Sequence, residues 1–200
     1  MVVAGEDGGP LVEATIAALL RDARVGRNEL KRAYASLTIG AGAAAVVLAH
    51  RNASRTHKRL CGAALLADTS QHELCHGAHV PGAAGPLMQT DSEELLHAGN
   101  ALAARTWQAF ERELGWSKSD VDRIVTHQVG SAHRRLLLST LGLDPARDYP
   151  TVETLGNIGS VSLPLSFSIA REQGFIRDGD RVAMLGIGSG LHCLMLGVQW

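Results

Sequence analysis

Short apolar runs alternate with helically spaced segments along the whole chain, and no feature limits the possible folds more. Met1-Val2-Val3-Ala4-Gly5 reads as a buried strand, and a helix follows from about Leu11 to Arg21. "SLTIGAGAAAVVLAH" (36–50) reads as a second strand of small and β-branched residues, and the polar, basic run 51–58 as a linker and internal boundary. "LCGAALLADT" (60–69) is a strand, and residues 70–89, rich in Gly, Pro and His, are a loop. Thr90, with Glu93 three residues on, fits a capping box opening a helix. Leu96, Ala103, Trp107, Phe110 and Leu114 then share one helical face up to Gly115. "DRIVTH" (122–127) is a short strand ending in histidine, "GSAHRRLLLSTLGL" (130–143) a helix, and 157–173 another helix closed by Gly174. "RVAMLGIG" and "LHCLMLGVQW" are two last strands around a glycine turn. Strands alternating with helices imply a layered α/β domain.

Composition removes several function classes. Lys and Arg total 19 against 20 Asp and Glu, so no basic footprint for nucleic acid is present, and 4% aromatic content disfavours base stacking. No apolar stretch reaches the roughly 18 residues of a membrane helix, and the N-terminus lacks a signal-peptide layout. Cys61, Cys75 and Cys193 form no even disulfide framework, which points to a reducing cytoplasm.

Three motifs are decoys. "GAGAAA" (40–45) fits a relaxed dinucleotide fingerprint, but its glycines lead into β-rich sequence and no acidic residue stands about 20 positions on. "GIGSG" (186–190) is not a nucleophile elbow, because Ile187 and Leu191 flank Ser189 where glycines are required. His72, Cys75, His76 and His79 are zinc-ligand types, yet their spacing matches no paired pattern and a polar loop is the simpler reading. Cys61 and Cys193 lie in apolar strands and are expected to be core thiols.

Two positions share a design. His127 stands where a strand ends and a helix begins, and Asn157 where a glycine-flanked turn opens another helix. Ligands of α/β sheets bind outside the carboxyl ends of strands. Imidazole and carboxamide are both uncharged donors at neutral pH. Converging on one carbonyl oxygen, they would stabilise an enolate or a tetrahedral oxyanion. Gly156 and Gly159 would let the helix end approach a thioester closely.

"VTHQVGSAH", "TLGNIGSVSLP" and "GDRVAMLGIGSGLHCLMLGVQW", in that order, resemble the C-terminal half of thiolase-fold condensing enzymes of the β-ketoacyl-acyl-carrier-protein synthase III type. "LTIGAGAAAVVLA" and "LMQTDSEELLHAGNALAARTW" are similar, more narrowly, to the olefin-pathway branch that joins two fatty acyl-CoA molecules head to head. The resemblance spans essentially the whole chain. It implies a layered α/β/α/β/α thiolase fold, with 1–50 the end of the first half-domain and 51–200 the second. It implies acyltransferase chemistry on acyl-CoA or acyl-carrier-protein thioesters without a further cofactor, in a thiolase-type dimer of lipid biosynthesis. His127 and Asn157 match the family's oxyanion-hole pair. Gly188, Ser189 and Gly190 match the glycine loop whose backbone N–H groups hold the acyl carbonyl.

Two departures from the family pattern stand out. Leu155 replaces the histidine that usually precedes the Gly-Asn pair. The family's acyl-accepting cysteine and the glutamate base belong to an N-terminal half that residues 1–200 do not match, and none of the three cysteines corresponds in motif or order. The resemblance therefore implies a partner, either a segment or a separate chain, that carries the cysteine. A natural split subunit, a cleaved product and a non-catalytic companion of an intact homologue are the three forms this could take. Each predicts an unpaired edge at Met1–Gly5.

Overall fold

The computed structural model describes residues 1–21, 25–79 and 85–200. Two strands open it: β1 (Val2–Asp7) and β2 (Ala41–Val46) pair antiparallel from Val2↔Val46 to Asp7↔Ala41. Helices α1 (Gly9–Arg21) and α2 (Arg27–Ala33) lie between them in sequence. The core sheet holds β3 (Arg59–Ala67), β6 (Arg123–Thr126), β7 (Arg181–Gly188) and β8 (His192–Gln199) in the order β3-β8-β7-β6. Among the described residues of this sheet, β6 and β7 are the one parallel pair. A hairpin of β4 (Cys75–His79) and β5 (Pro86–Thr90) precedes the longest helix, α3 (Ser92–Leu114). Then come α4 (Ser131–Leu141), the single turn α5 (Val152–Leu155) and α6 (Ser162–Glu172).

Strand alternation sorts the sheet's side chains into two cores. On one face Ile124, Ala183, Leu185, Cys193 and Met195 pack against Leu102, Phe110 and Leu138 of α3 and α4. Phe110 is fully buried, with Trp107 at 5.1 Å between ring centroids and Trp116 edge-on at 6.1 Å. The opposite face buries Val125 and Val182 against Ala170 of α6 and Ile176. Both faces of the sheet are therefore covered near β6 and β7, the layered arrangement expected of a thiolase fold.

Several expectations shift. Residues 34–38 form a 3₁₀ turn and the second strand is confined to 41–46, because Thr38 bonds its hydroxyl back to the Ala35 carbonyl at 2.9 Å. The loop expected over 70–89 holds a 3₁₀ turn and the β4–β5 hairpin, while residues 80–84 lie outside those described. Asp91, not Thr90, caps α3: its carboxylate accepts the Glu94 N–H at 3.2 Å, and Thr90 is the last residue of β5. Residues 157–161 are not α-helical, and α6 starts at Ser162.

Cys193 is buried as expected, but Cys61 is exposed. The pairing of β3 with β8 slips between Leu60 and Gly62, so Cys61 is the extra residue of a bulge and turns outward. β1 is not a buried strand either: Val2 and Val3 are 60% and 65% exposed, and β2 is its one strand neighbour among the described residues.

Candidate functional site

His127 and Gly188–Gly190 stand at the carboxyl ends of β6 and β7, while Gly156, Asn157 and Gly159 lie on the loop between α5 and α6, against the segment before β2 and against β1. His127 leaves β6 with its N–H on the Leu185 carbonyl, 2.8 Å away, which seats it beside the last turns of β7. Three residues further along β7, Gly188 begins the turn Ser189–Gly190 into β8. Gly190 has φ +105°, open to glycine alone without strain, and the exposed His192 ring packs on the Gly188 backbone. A hairpin turn between antiparallel strands is no nucleophile elbow, which needs a strand-to-helix turn.

Asn157 is held by its backbone and by its own side chain. Its N–H donates to the Thr38 carbonyl and its C=O accepts the Gly40 N–H, both at 2.9 Å, tying the loop to the segment before β2. Gly156 (φ +68°) sits so close to Thr38 that a Cβ would lie 2.6 Å from the Thr38 carbonyl oxygen. At Gly159 (φ +52°) a Cβ would run into the Glu6 carboxylate of β1. The bare backbone at both positions is thus already required by contacts within this chain.

The Asn157 Oδ1 accepts the Gly159 N–H at 3.0 Å. That bond fixes the carboxamide plane, and Nδ2 makes no hydrogen bond among the described residues. The arrangement leaves the oriented Nδ2 amino group, with its two N–H hydrogens, to offer. Leu155, in place of the expected histidine, closes α5 by donating its N–H to Thr151 at 2.9 Å.

His127 is suited to act as a neutral donor. Enclosure, which disfavours the imidazolium, pulls its pKa down to about 4, and the nearby His133 adds to the effect. His133, on the first turn of α4, is lowered by burial as well.

Residues that sequence reasoning missed tie the strand end bearing His127 to the start of α5. Gln128 is 2% exposed; its Nε2 donates to the Thr126 carbonyl at 2.7 Å. Its Oε1 accepts the N–H groups of Thr151 and Val152, each at 2.9 Å. Gln128 therefore latches the start of α5, and with it the Asn157 loop, to the strand end that bears His127. One residue back, the Thr126 N–H and hydroxyl bond the buried Asp148 at 3.1 and 3.2 Å, and Arg134 reaches Asp148 at 2.5 Å. Burial pushes the Asp148 carboxyl up, and the Arg134 guanidinium and Thr126 pull it back. Only adjacency to His127 in "THQV" could have singled out Gln128, and nothing in the sequence paired Asp148 with Arg134.

Glu6 is a further such residue. Its carboxylate rests against Gly159, two residues from Asn157, and has no hydrogen-bond or ion-pair partner among the described residues. The histidine-rich stretch is elsewhere, with His72 and His76 bonded through Nδ1 to the carbonyls of Thr69 and Glu73. The side chain of His79 lies outside those described. No helix among the described residues is long and apolar enough to cross a membrane.

The chain is similar to known proteins. Residues 112–200 match the family model of the 3-oxoacyl-[acyl-carrier-protein] synthase III C-terminal domain. The chain is 40% identical to an acyl-CoA:acyl-CoA alkyltransferase of Shewanella oneidensis, over all of its own length and 58% of that protein's. It is 33% identical to a β-ketoacyl-[acyl-carrier-protein] synthase III of Roseobacter denitrificans, over 80% of its length and 51% of the relative's. Among solved structures it superposes at TM-score 0.90 and 35% identity on a cysteine-to-serine variant of Xanthomonas campestris OleA with bound lauric acid and lauroyl-CoA. That match covers all of this chain and 57% of the other. The chain thus spans a little over half the length of the proteins it matches most fully.

Proposed function

The chain belongs to the thiolase-fold condensing enzymes of the 3-oxoacyl-[acyl-carrier-protein] synthase III type, and on that basis we propose that it supplies the oxyanion hole of a Claisen condensation between acyl thioesters. The substrates are two fatty acyl-CoA molecules and the product is a β-keto thioester, or the β-keto acid once water cleaves that thioester and releases CoA. The nucleophilic cysteine comes from outside residues 1–200, on an N-terminal thiolase-half segment or chain. Residues 1–50 complete that half-domain, 51–200 form the second, and the assembly is a thiolase-type dimer.

The chemistry balances as follows. One acyl group is carried as a thioester on the partner's cysteine. A base removes an α-proton from the second acyl-CoA, and negative charge collects on its thioester oxygen. His127 and Asn157 Nδ2 each donate a hydrogen bond to that oxygen, in a setting where such donors are worth more than in water. The enolate carbon attacks the cysteine thioester, a carbon–carbon bond forms, the carbon–sulfur bond breaks, and the thiolate leaves. The Gly188–Gly190 turn meets the acyl carbonyl with backbone N–H groups, and Gly156 and Gly159 let the Asn157 loop sit close enough to act. N–H donors meet the developing charge, so the scheme calls for no metal or redox cofactor. Three cysteines without a pairing framework suit a reducing cytoplasm.

One observation carries the reading: the Asn157 amide is pinned through its oxygen by Gly159, with its nitrogen left to donate. The kinship to β-ketoacyl-[acyl-carrier-protein] synthase III of Roseobacter denitrificans supports a second reading, in which a malonyl thioester loses CO₂ to form the enolate at the same two donors. The test mixes the chain with its cysteine-bearing partner and offers acyl-CoA alone or acyl-CoA with malonyl thioester. A β-keto product of two fatty chains from acyl-CoA alone is expected. Product only with malonyl thioester would establish the second reading. Turnover unaffected by His127→Ala would make the chain a companion without chemistry of its own.

A further inference from the structure

One side-chain amide is shared by the two arms of the candidate site. The Thr126–His127 peptide is held on both sides: its C=O accepts the Gln128 Nε2–H at 2.7 Å, and its N–H donates to the Leu185 carbonyl at 2.8 Å. That peptide sets where the His127 side chain leaves the strand end. The Gln128 Oε1 takes the N–H groups of Thr151 and Val152, each at 2.9 Å. Backbone N–H groups only donate and a carbonyl only accepts, so a single orientation of the amide fits. Nε2 also lies 3.5 Å from Thr126 Oγ1, which leaves no polar atom of the side chain idle.

Thr151 and Val152 are also the residues whose carbonyls accept the N–H groups of Leu155 and Gly156, at 2.9 and 3.0 Å. Gln128 thus grips one end of the single turn α5, and the Gly156–Asn157 pair follows directly from the other. The Thr151 hydroxyl shares a 2.6 Å bond with Ser166 of α6, and Ile158 is fully buried, so the turn has little room to swing once its start is placed. The backbone bonds of Asn157 itself run to Thr38 and Gly40 and not to the end of β6. Among the described residues, the hydrogen bonds that join 126–130 to 151–155 are those of Gln128. A leucine of similar bulk would fill this enclosed place without the cost of desolvating an amide. A fully satisfied polar group instead fixes one geometry of its surroundings.

We propose that Gln128 is a positioning residue that sets the separation of the two donors, by bonding at once the peptide that carries His127 and the turn that leads to Asn157. This inference rests on the oxyanion-hole reading of that pair. Two hydrogens must meet one oxygen together, and a displacement of about 1 Å in such a site can lower the rate about 10²-fold. With its amide spent on backbone groups and only 2% exposed, Gln128 has nothing to offer the substrate itself and acts through its neighbours.

A double-mutant cycle on the enzyme assembled with its cysteine-bearing partner tests this. It compares kcat and KM for β-keto product formation in wild type, Gln128→Leu, Asn157→Ala and the double variant. In protein shown to be folded by circular dichroism, Gln128→Leu is expected to lower kcat about 10- to 100-fold with KM little changed. In the Asn157→Ala background the same substitution should lower kcat less than about threefold, because the donor that Gln128 aligns with His127 is already gone. A residue that only stabilised the fold would cost the same factor in both backgrounds, and that result would overturn the proposal. So would kcat within about threefold of wild type in folded Gln128→Leu. If Gln128→Leu does not fold, Gln128→Met, which keeps the length of the side chain, goes through the same cycle and is read in the same way. Failure of the oxyanion-hole reading would show separately, as Asn157→Ala leaving kcat within a few-fold of wild type while Gln128 is intact, and the proposal would fall with it.

Discussion

Acid should weaken this fold through His127, and the size of the effect follows from how the ring is housed. Enclosure, with His133 nearby, takes its pKa down to about 4, while in the unfolded chain it returns to an ordinary value of about 6.5. Between those values the unfolded chain binds more protons than the folded one, so stability rises with pH through the window and is lost as pH falls. The whole gap corresponds to about 3 kcal/mol, of which about 2 kcal/mol is lost between about pH 7 and about pH 5. Urea unfolding of the wild type and of His127→Gln at those two pH values isolates the effect, since the raised Asp148 carboxyl, which acts with the opposite sign, is common to both. The wild type should lose about 2 kcal/mol more than the variant. Equal losses in the two proteins, within about 0.5 kcal/mol, would mean that His127 titrates freely and is not the neutral donor described above.

Gln128→Leu leaves the Thr151 and Val152 N–H groups unpaired; a loss of about 2–4 kcal/mol in urea unfolding is expected, together with a fall in condensation as the Asn157 loop loosens. Arg134→Ala strands the buried Asp148 and should cost about 3 kcal/mol, measured the same way. Gly159→Ala forces a left-handed backbone and meets Glu6. It should cost about 1–3 kcal/mol, and Glu6→Ala in the same chain should restore part of that loss in a double-mutant cycle.

The layered fold was legible because its core strands and helices repeat their apolar residues at the right periods. α3 shows this well: Ala103, Trp107 and Phe110 are all buried on the face that meets the sheet. Where side chains compete locally with the backbone, the pattern misled. Thr38 turned the start of an expected strand into a 3₁₀ turn, and a bulge rotated Cys61 out of the core. β1 reads as an interior strand from its composition, yet burial depends on neighbours that no pattern within the strand reveals.

Of the candidate site, the strand-end position of His127 and the glycine-flanked loop of Asn157 were legible, because both are local features. Its supports were not. Gln128 bonds residues 23 and 24 positions away, and Asp148 bonds a residue 22 positions back. Glu6 meets Gly159 across most of the chain. Such pairings are products of the fold and leave no mark in the spacing of one sequence.

The central claim is that the free nitrogen of Asn157 stabilises a thioester oxyanion. Its most direct test is kcat for β-keto product formation by the chain assembled with its cysteine-bearing partner, comparing wild type with Asn157→Ala. Loss of one such donor should lower kcat by about 10²–10³. Condensation within a few-fold of wild type would contradict the account.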